Sequence, residues 1–158
     1  MARIEFFTYT SDRRWGARID GADLRVHAAD AVRPRWEEEQ RPEEPAEVEE
    51  FLFRQYAGLA EADLGDPVAH FLGEAAGPGP GDGSTAVLGC DCGLWQCWPL
   101  LTRITAAPGA VVWAGFRQPH RPAWGELALG PFAFPRPAYE RALGSPVHFA
   151  EDPFTGPM

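Results

Sequence analysis

The sequence predicts an α+β fold, a small and mainly antiparallel sheet with two or three helices packed on one side. Three observations carry this expectation. Runs rich in aromatic and β-branched residues, such as 4–10 and 111–116, read as strands. Apolar residues at spacings of three and four, Val48, Phe51, Leu52, Tyr56 and Leu59, read as one face of a helix. Finally, 17 Gly and 16 Pro in 158 residues divide the chain into short elements joined by turns. An all-β sandwich is the alternative, and it requires the helical spacing near residue 50 to be wrong.

In chain order, the strand at 4–10 is followed by a hairpin over 17–26, marked by the Asp20-Gly21 turn between short apolar runs. Glu, Pro and Arg dominate residues 33–50, which read as a solvated loop or helix face. The main helix is expected at about 45–58, with Pro45 in its first turn and glutamates at the positive end of its dipole. A short helix follows over 67–74, with Asp66 as N-cap, His70 on it as a packed or surface residue, and Gly77 beyond its end. Residues 77–84 form a glycine- and proline-rich loop, followed by a strand at 85–88 that leads into a cysteine cluster. A second hairpin is expected over 99–116 with its turn at 106–109, then a strand drawing on Leu127, Leu129, Phe132 and Phe134. Pro137 opens a short helix holding Tyr139, Ala142 and Leu143 and stopped by Gly144, and 145–158 reads as an extended, loose tail. One domain, 1–158, is sufficient for this length. It comprises an acidic loop and helix region 34–76, the loop 77–84, a cysteine-hairpin region 85–143 and the tail.

The formal charge is −9, and every basic residue is arginine. Residues 37–74 carry twelve Asp and Glu against two Arg, so the acidity is concentrated in the middle of the chain. Such a balance argues against nucleic-acid binding, which needs a basic face to displace counterions from phosphates. Residues 37–44, with five Glu and one Pro, are expected to be exposed and poorly packed. No apolar run of about 18 residues is present, so no membrane partner is expected and the cytoplasm is the expected location.

All three cysteines fall within Cys90-Asp91-Cys92-Gly93-Leu94-Trp95-Gln96-Cys97. Two readings stand open: a metal or redox site, because three soft sulfurs can converge within one turn, or three small side chains buried near a strand. A turn centred between Pro108 and Gly109 sets Cys97 opposite His120, which gives Cys90, Cys92, Cys97 and His120 as a Cys₃His set of the kind zinc favours. Asp91 is an alternative fourth ligand. Trp95, Trp98, Trp113 and Trp124 crowd the same region, either as walls of a ligand pocket or as core. Arg117 and Arg121 flank His120 and could hold a small anion or pair with the acidic segment. Neither a Gly-x-Ser-x-Gly nor a His-Glu-x-x-His motif occurs, so no nucleophile motif announces an enzyme.

The runs Leu88-Gly89-Cys90-Asp91-Cys92-Gly93, Cys97-Trp98-Pro99-Leu100 and Phe116-Arg117-Gln118-Pro119-His120-Arg121, followed by Gly130-Pro131-Phe132-Ala133-Phe134, resemble a family of uncharacterised bacterial proteins. The resemblance spans about residues 87–143. It implies that the cysteines and the Pro119-His120-Arg121 segment belong to one unit, and it implies no activity. This chain departs from the family pattern at Leu94, where an acidic residue is usual, and at Gln96, where glycine is usual.

Function is expected to be metal binding, zinc-like, with an interaction or ligand-binding role toward an unknown protein or a small anionic ligand. A small enzyme using the metal or a thiol is one alternative. A metal-free acidic partner of immunity or antitoxin type is the other.

Overall fold

The computed structural model describes residues 1–39, 51–74 and 77–154. Among them the fold is α+β, with two five-stranded sheets rather than one. Strands β1 (Ile4–Tyr9) and β2 (Arg14–Ile19) form an antiparallel pair, and the Asp20-Gly21 turn leads to the short β3 (Ala22–Asp23). The first expected hairpin is therefore present, but it ends at once in a helix.

That helix, α1 (Leu24–Glu39), is the longest described, and the sequence reading missed it. Its signals are present: the Asp23 carboxylate accepts the Arg25 N–H at 2.8 Å as an N-cap. Leu24, Ala28, Ala29, Val32 and Trp36 line one buried stripe at helical spacing. Pro34 inside the helix and the Glu-rich end pointed instead to a solvated loop or helix face without a buried stripe. Glu37, Glu38 and Glu39 form its exposed last turn, while 40–50 lies outside the described residues.

The helix expected over about 45–58 is shorter at its C-terminal end. Residues 51–54 are helical, but Tyr56–Ala57 is already strand β4, and 45–50 falls outside the described residues. Leu59–Ala60 forms β5. These two short strands join the sheets, because β4 pairs with β6 (Thr85–Cys90) while β5 pairs with β2. Gly58 between them donates its N–H to the Tyr9 hydroxyl at 2.7 Å. A Cβ there would lie 2.6 Å from the Trp15 carbonyl oxygen, so only glycine lets the backbones approach this closely.

Helices α2 (Glu61–Leu64) and α3 (Pro67–Phe71) follow. Asp66 caps α3 as expected, accepting the Val68 N–H at 3.0 Å, but this helix stops at Phe71 rather than 74. The hairpin β7 (Leu100–Ala106) and β8 (Ala110–Arg117) has the expected register near its turn, with Arg103 facing Ala114 and Ala106 facing Val111. A bulge then shifts it, setting Leu101 opposite Arg117. Strand β9 (Phe132–Pro135) completes the second sheet, in the order β4-β6-β7-β8-β9. Leu127 and Leu129 precede it as buried loop residues, not as strand.

Helix α4 (Arg136–Gly144) is as expected, but the tail is not loose. Val147–Phe149 forms β10 and pairs in parallel with β1, setting Phe7 beside Val147. Residues 155–158 lie outside the described residues.

The core unites both sheets. Phe6 of β1 meets Phe71 at 5.0 Å and Tyr139 at 5.5 Å between ring centroids, and Trp113 of β8 donates its indole N–H to the Tyr139 hydroxyl at 3.1 Å. Tyr139 in turn donates to the Phe71 carbonyl. Burying an aromatic side chain of this kind contributes about 1.5–3 kcal/mol relative to leaving it exposed.

Candidate thiol and aromatic site

Strand β6 delivers Cys90 to a tight loop that returns through a 3₁₀ turn, Trp95–Cys97, to β7. Two turn hydrogen bonds close it, Gly93 N–H to the Cys90 carbonyl and Cys97 N–H to the Leu94 carbonyl, both at 3.1 Å. The Cys92 N–H points to the Cys90 sulfur at 3.4 Å. All three cysteines are free; Cys90 is half-buried, and Cys92 and Cys97 are exposed.

Cys92 lies between the other two on the loop, with its own sulfur 3.8 Å from the Leu94 carbonyl oxygen. The Leu94 backbone, followed by the Cys90 thiol, pulls the Cys92 thiol below its ordinary range. Burial pushes Cys90 up, and the neighbouring Cys92 pushes Cys97 up. Of the three, Cys92 has the most thiolate character.

His120 stands beside this loop, as the hairpin register implied. Its ring lies nearly parallel to Trp98, with centroids 6.1 Å apart, and its Nε2 bonds the Gln96 carbonyl at 2.9 Å. The imidazole thus holds the loop just ahead of Cys97 through a backbone carbonyl, not through a sulfur. Gln118, 1% exposed, fixes the segment: its amide donates to the Pro99 carbonyl at 3.0 Å, and its Oε1 accepts the His120 N–H at 3.0 Å.

An aromatic cluster borders the thiols. Trp36 of α1 lies 5.6 Å from Trp98 and 5.3 Å from Trp124, centroid to centroid. The Arg121 guanidinium sits among the three indoles, 5.3, 5.2 and 5.9 Å from the rings of Trp36, Trp98 and Trp124. Glu39 accepts from both Arg121 Nε at 3.2 Å and Trp124 Nε1 at 2.9 Å. Arg121 therefore pairs with the acidic segment, one of the two roles its position allowed. A mostly apolar cavity of about 350 Å³ opens here, walled by Trp36, Phe51 and Trp98, with Gln55, Cys90 and Cys97 at its edge.

Two of the expected site residues lie elsewhere. Trp113 is fully buried in the core against Tyr139, because β8 turns it to the inner face of its sheet. Arg117 is engaged by Asp82 and by the Ser84 hydroxyl at 3.1 Å, at the glycine-rich loop. Trp95 is half-buried on the cysteine loop and packs against the core. Sequence reasoning assigned Trp36, Gln55 and Gln118 no role in the site. Trp36 comes from a helix that was not expected, and buried glutamines leave no spacing signal.

Among the described residues, no group of three or more His, Cys, Asp or Glu side chains is arranged to hold a metal ion. Nor is any helix long and apolar enough to cross a membrane among them. No family model matches the sequence, and no curated protein or solved structure is significantly similar to it.

Proposed function

We propose that this chain binds a thiophilic metal ion, with zinc the best match, through Cys90, Cys92 and Cys97, and presents that ion to a ligand held over the Trp36–Phe51–Trp98 cavity. The observation that carries the reading is the gathering of three free cysteines on one loop closed by two backbone hydrogen bonds, with the Cys92 N–H 3.4 Å from the Cys90 sulfur. Soft sulfur ligands select zinc or copper(I) over hard cations. Bringing the sulfurs to about 2.3 Å from one ion calls for side-chain rotation on that loop. Three protein sulfurs leave a fourth position for an incoming ligand, since the His120 Nε2 is committed to the Gln96 carbonyl. Free thiols fit a reducing compartment such as the cytoplasm.

The test is metal content by elemental analysis after purification without a metal-affinity column, with cobalt(II) substitution to reveal sulfur-to-metal charge-transfer bands. One equivalent of metal is expected, with affinity falling about tenfold or more in Cys92→Ser. His120→Ala should have the smaller effect. Absence of metal and of charge-transfer bands, or equal cobalt affinity in Cys92→Ser and the parent chain, would overturn the proposal.

A further inference from the structure

A second cavity, of about 430 Å³, lies where β10 begins beside β1 and shares no lining residue with the first. Strand β10 pairs with β1 only from Phe7 onward, which leaves a notch next to Arg3, Ile4 and Glu5. Arg18 of β2 and Arg141 of α4 also face this notch. Three arginines therefore line one cavity of a chain whose formal charge is −9.

Several arginines elsewhere are met by a carboxylate, Arg13, Arg25, Arg117, Arg121 and Arg136 among them, while Arg103 has none among the described residues. Here Arg18 alone is so met, donating to Glu5 at 2.9 Å. The side chains of Arg3 and Arg141 have no hydrogen-bond or ion-pair partner among the described residues. The nearby Asp20 carboxylate is occupied by the backbone N–H of Arg3 at 2.9 Å. Arg18 is held in place, its guanidinium 5.1 and 5.2 Å from the ring centroids of Phe7 and Phe149. Ser145 adds a hydroxyl, while Ile4, Ala142 and Val147 supply an apolar wall.

We propose that this notch binds a small organic oxyanion, a carboxylate or a phosphate monoester with a short apolar body. Guanidinium forks match the paired oxygens of either head group, and the aliphatic wall covers the body. Arg3 and Arg141 provide the unpaired charge, and Arg18 a pre-set fork whose ordering is already met by two phenyl rings. The site is independent of the thiols.

Benzoate and phenyl phosphate are the probes, titrated into the full chain at constant ionic strength and followed by amide chemical shifts, with acetate as the control lacking a body. Saturable shifts confined to residues 3–5, 18 and 138–147 are expected, with benzoate binding tighter than acetate. The tighter of the two aromatic probes identifies the head group. Arg3→Gln and Arg141→Gln change exposed side chains without partners among the described residues, so folding is retained, and each should weaken binding about tenfold. Replacing all three cysteines by serine should leave it unchanged. Linear, unsaturated shifts, shifts centred on another surface, equal affinity for acetate and benzoate, or unchanged binding in both arginine variants would overturn the proposal.

Discussion

The Asp152 carboxylate closes on the Arg25 guanidinium with two hydrogen bonds, of 2.7 and 2.8 Å, across a separation of 127 positions. Arg25 is 3% exposed, is also gripped by Asp23 at 2.9 and 3.0 Å, and is covered by the Phe154 ring at 4.5 Å. The tail is thus fastened to the start of α1 by charge and aromatic contact rather than by strand pairing alone.

Asp152→Ala should destabilise the chain by about 1–2 kcal/mol, because a charge-assisted pair is lost while Asp23 still compensates the buried guanidinium. Urea unfolding measures this. A loss below about 0.5 kcal/mol would show that the tail contact is dispensable. Hydrogen exchange at 147–149 should accelerate in the same variant, since β10 depends on the clasp.

His70 should make stability sensitive to mild acid. Its Nε2 donates to the Ala86 carbonyl at 2.7 Å, and its Nδ1 is buried without a hydrogen-bond partner, beside Gly77. Burial holds its pKa below the ordinary value of 6.5, so the folded state keeps the ring neutral where the unfolded chain takes up a proton. The stabilisation is therefore full above pH 6.5 and is lost as pH falls through the folded-state value. Below about pH 6.5, unfolding free energy should fall with acid in the parent chain and much less in His70→Gln. Equal slopes would refute the assignment.

Gln55 links the aromatic cluster. Its Oε1 accepts from Trp98 Nε1 at 2.9 Å and from Trp36 Nε1 at 3.4 Å, and its amide donates to the Leu52 carbonyl at 3.0 Å. Gln55→Leu should cost about 1–3 kcal/mol by stranding the two indole donors, and should red-shift tryptophan emission as water reaches Trp98. Unchanged emission together with unchanged stability would mean that stacking alone holds the cluster.

Local chemistry was legible where neighbours in sequence are also neighbours in space. The Asp66 cap, the Asp20-Gly21 turn and the helix opened near Pro137 needed only short-range rules, and the turn at Pro108-Gly109 was enough to bring His120 to the cysteine loop. What that register could not supply was orientation. The imidazole turns to the Gln96 carbonyl, and the bulge between Leu101 and Arg103 changes which residues face Arg117.

By itself, then, the sequence determined the fold class, most strand positions, the second hairpin's register near its turn and the clustering of three thiols, because these follow from periodicity, turn chemistry and spacing within a few residues. Tertiary structure alone decided that Trp36 of α1 joins Trp98 and Trp124 around Arg121, that Trp113 is core, and that the tail locks onto Arg25. Those outcomes depend on contacts between residues tens of positions apart. Their free energy comes from burial and pairing, and the packing that creates them overrode the local signals of Pro34 and of the proline-rich tail.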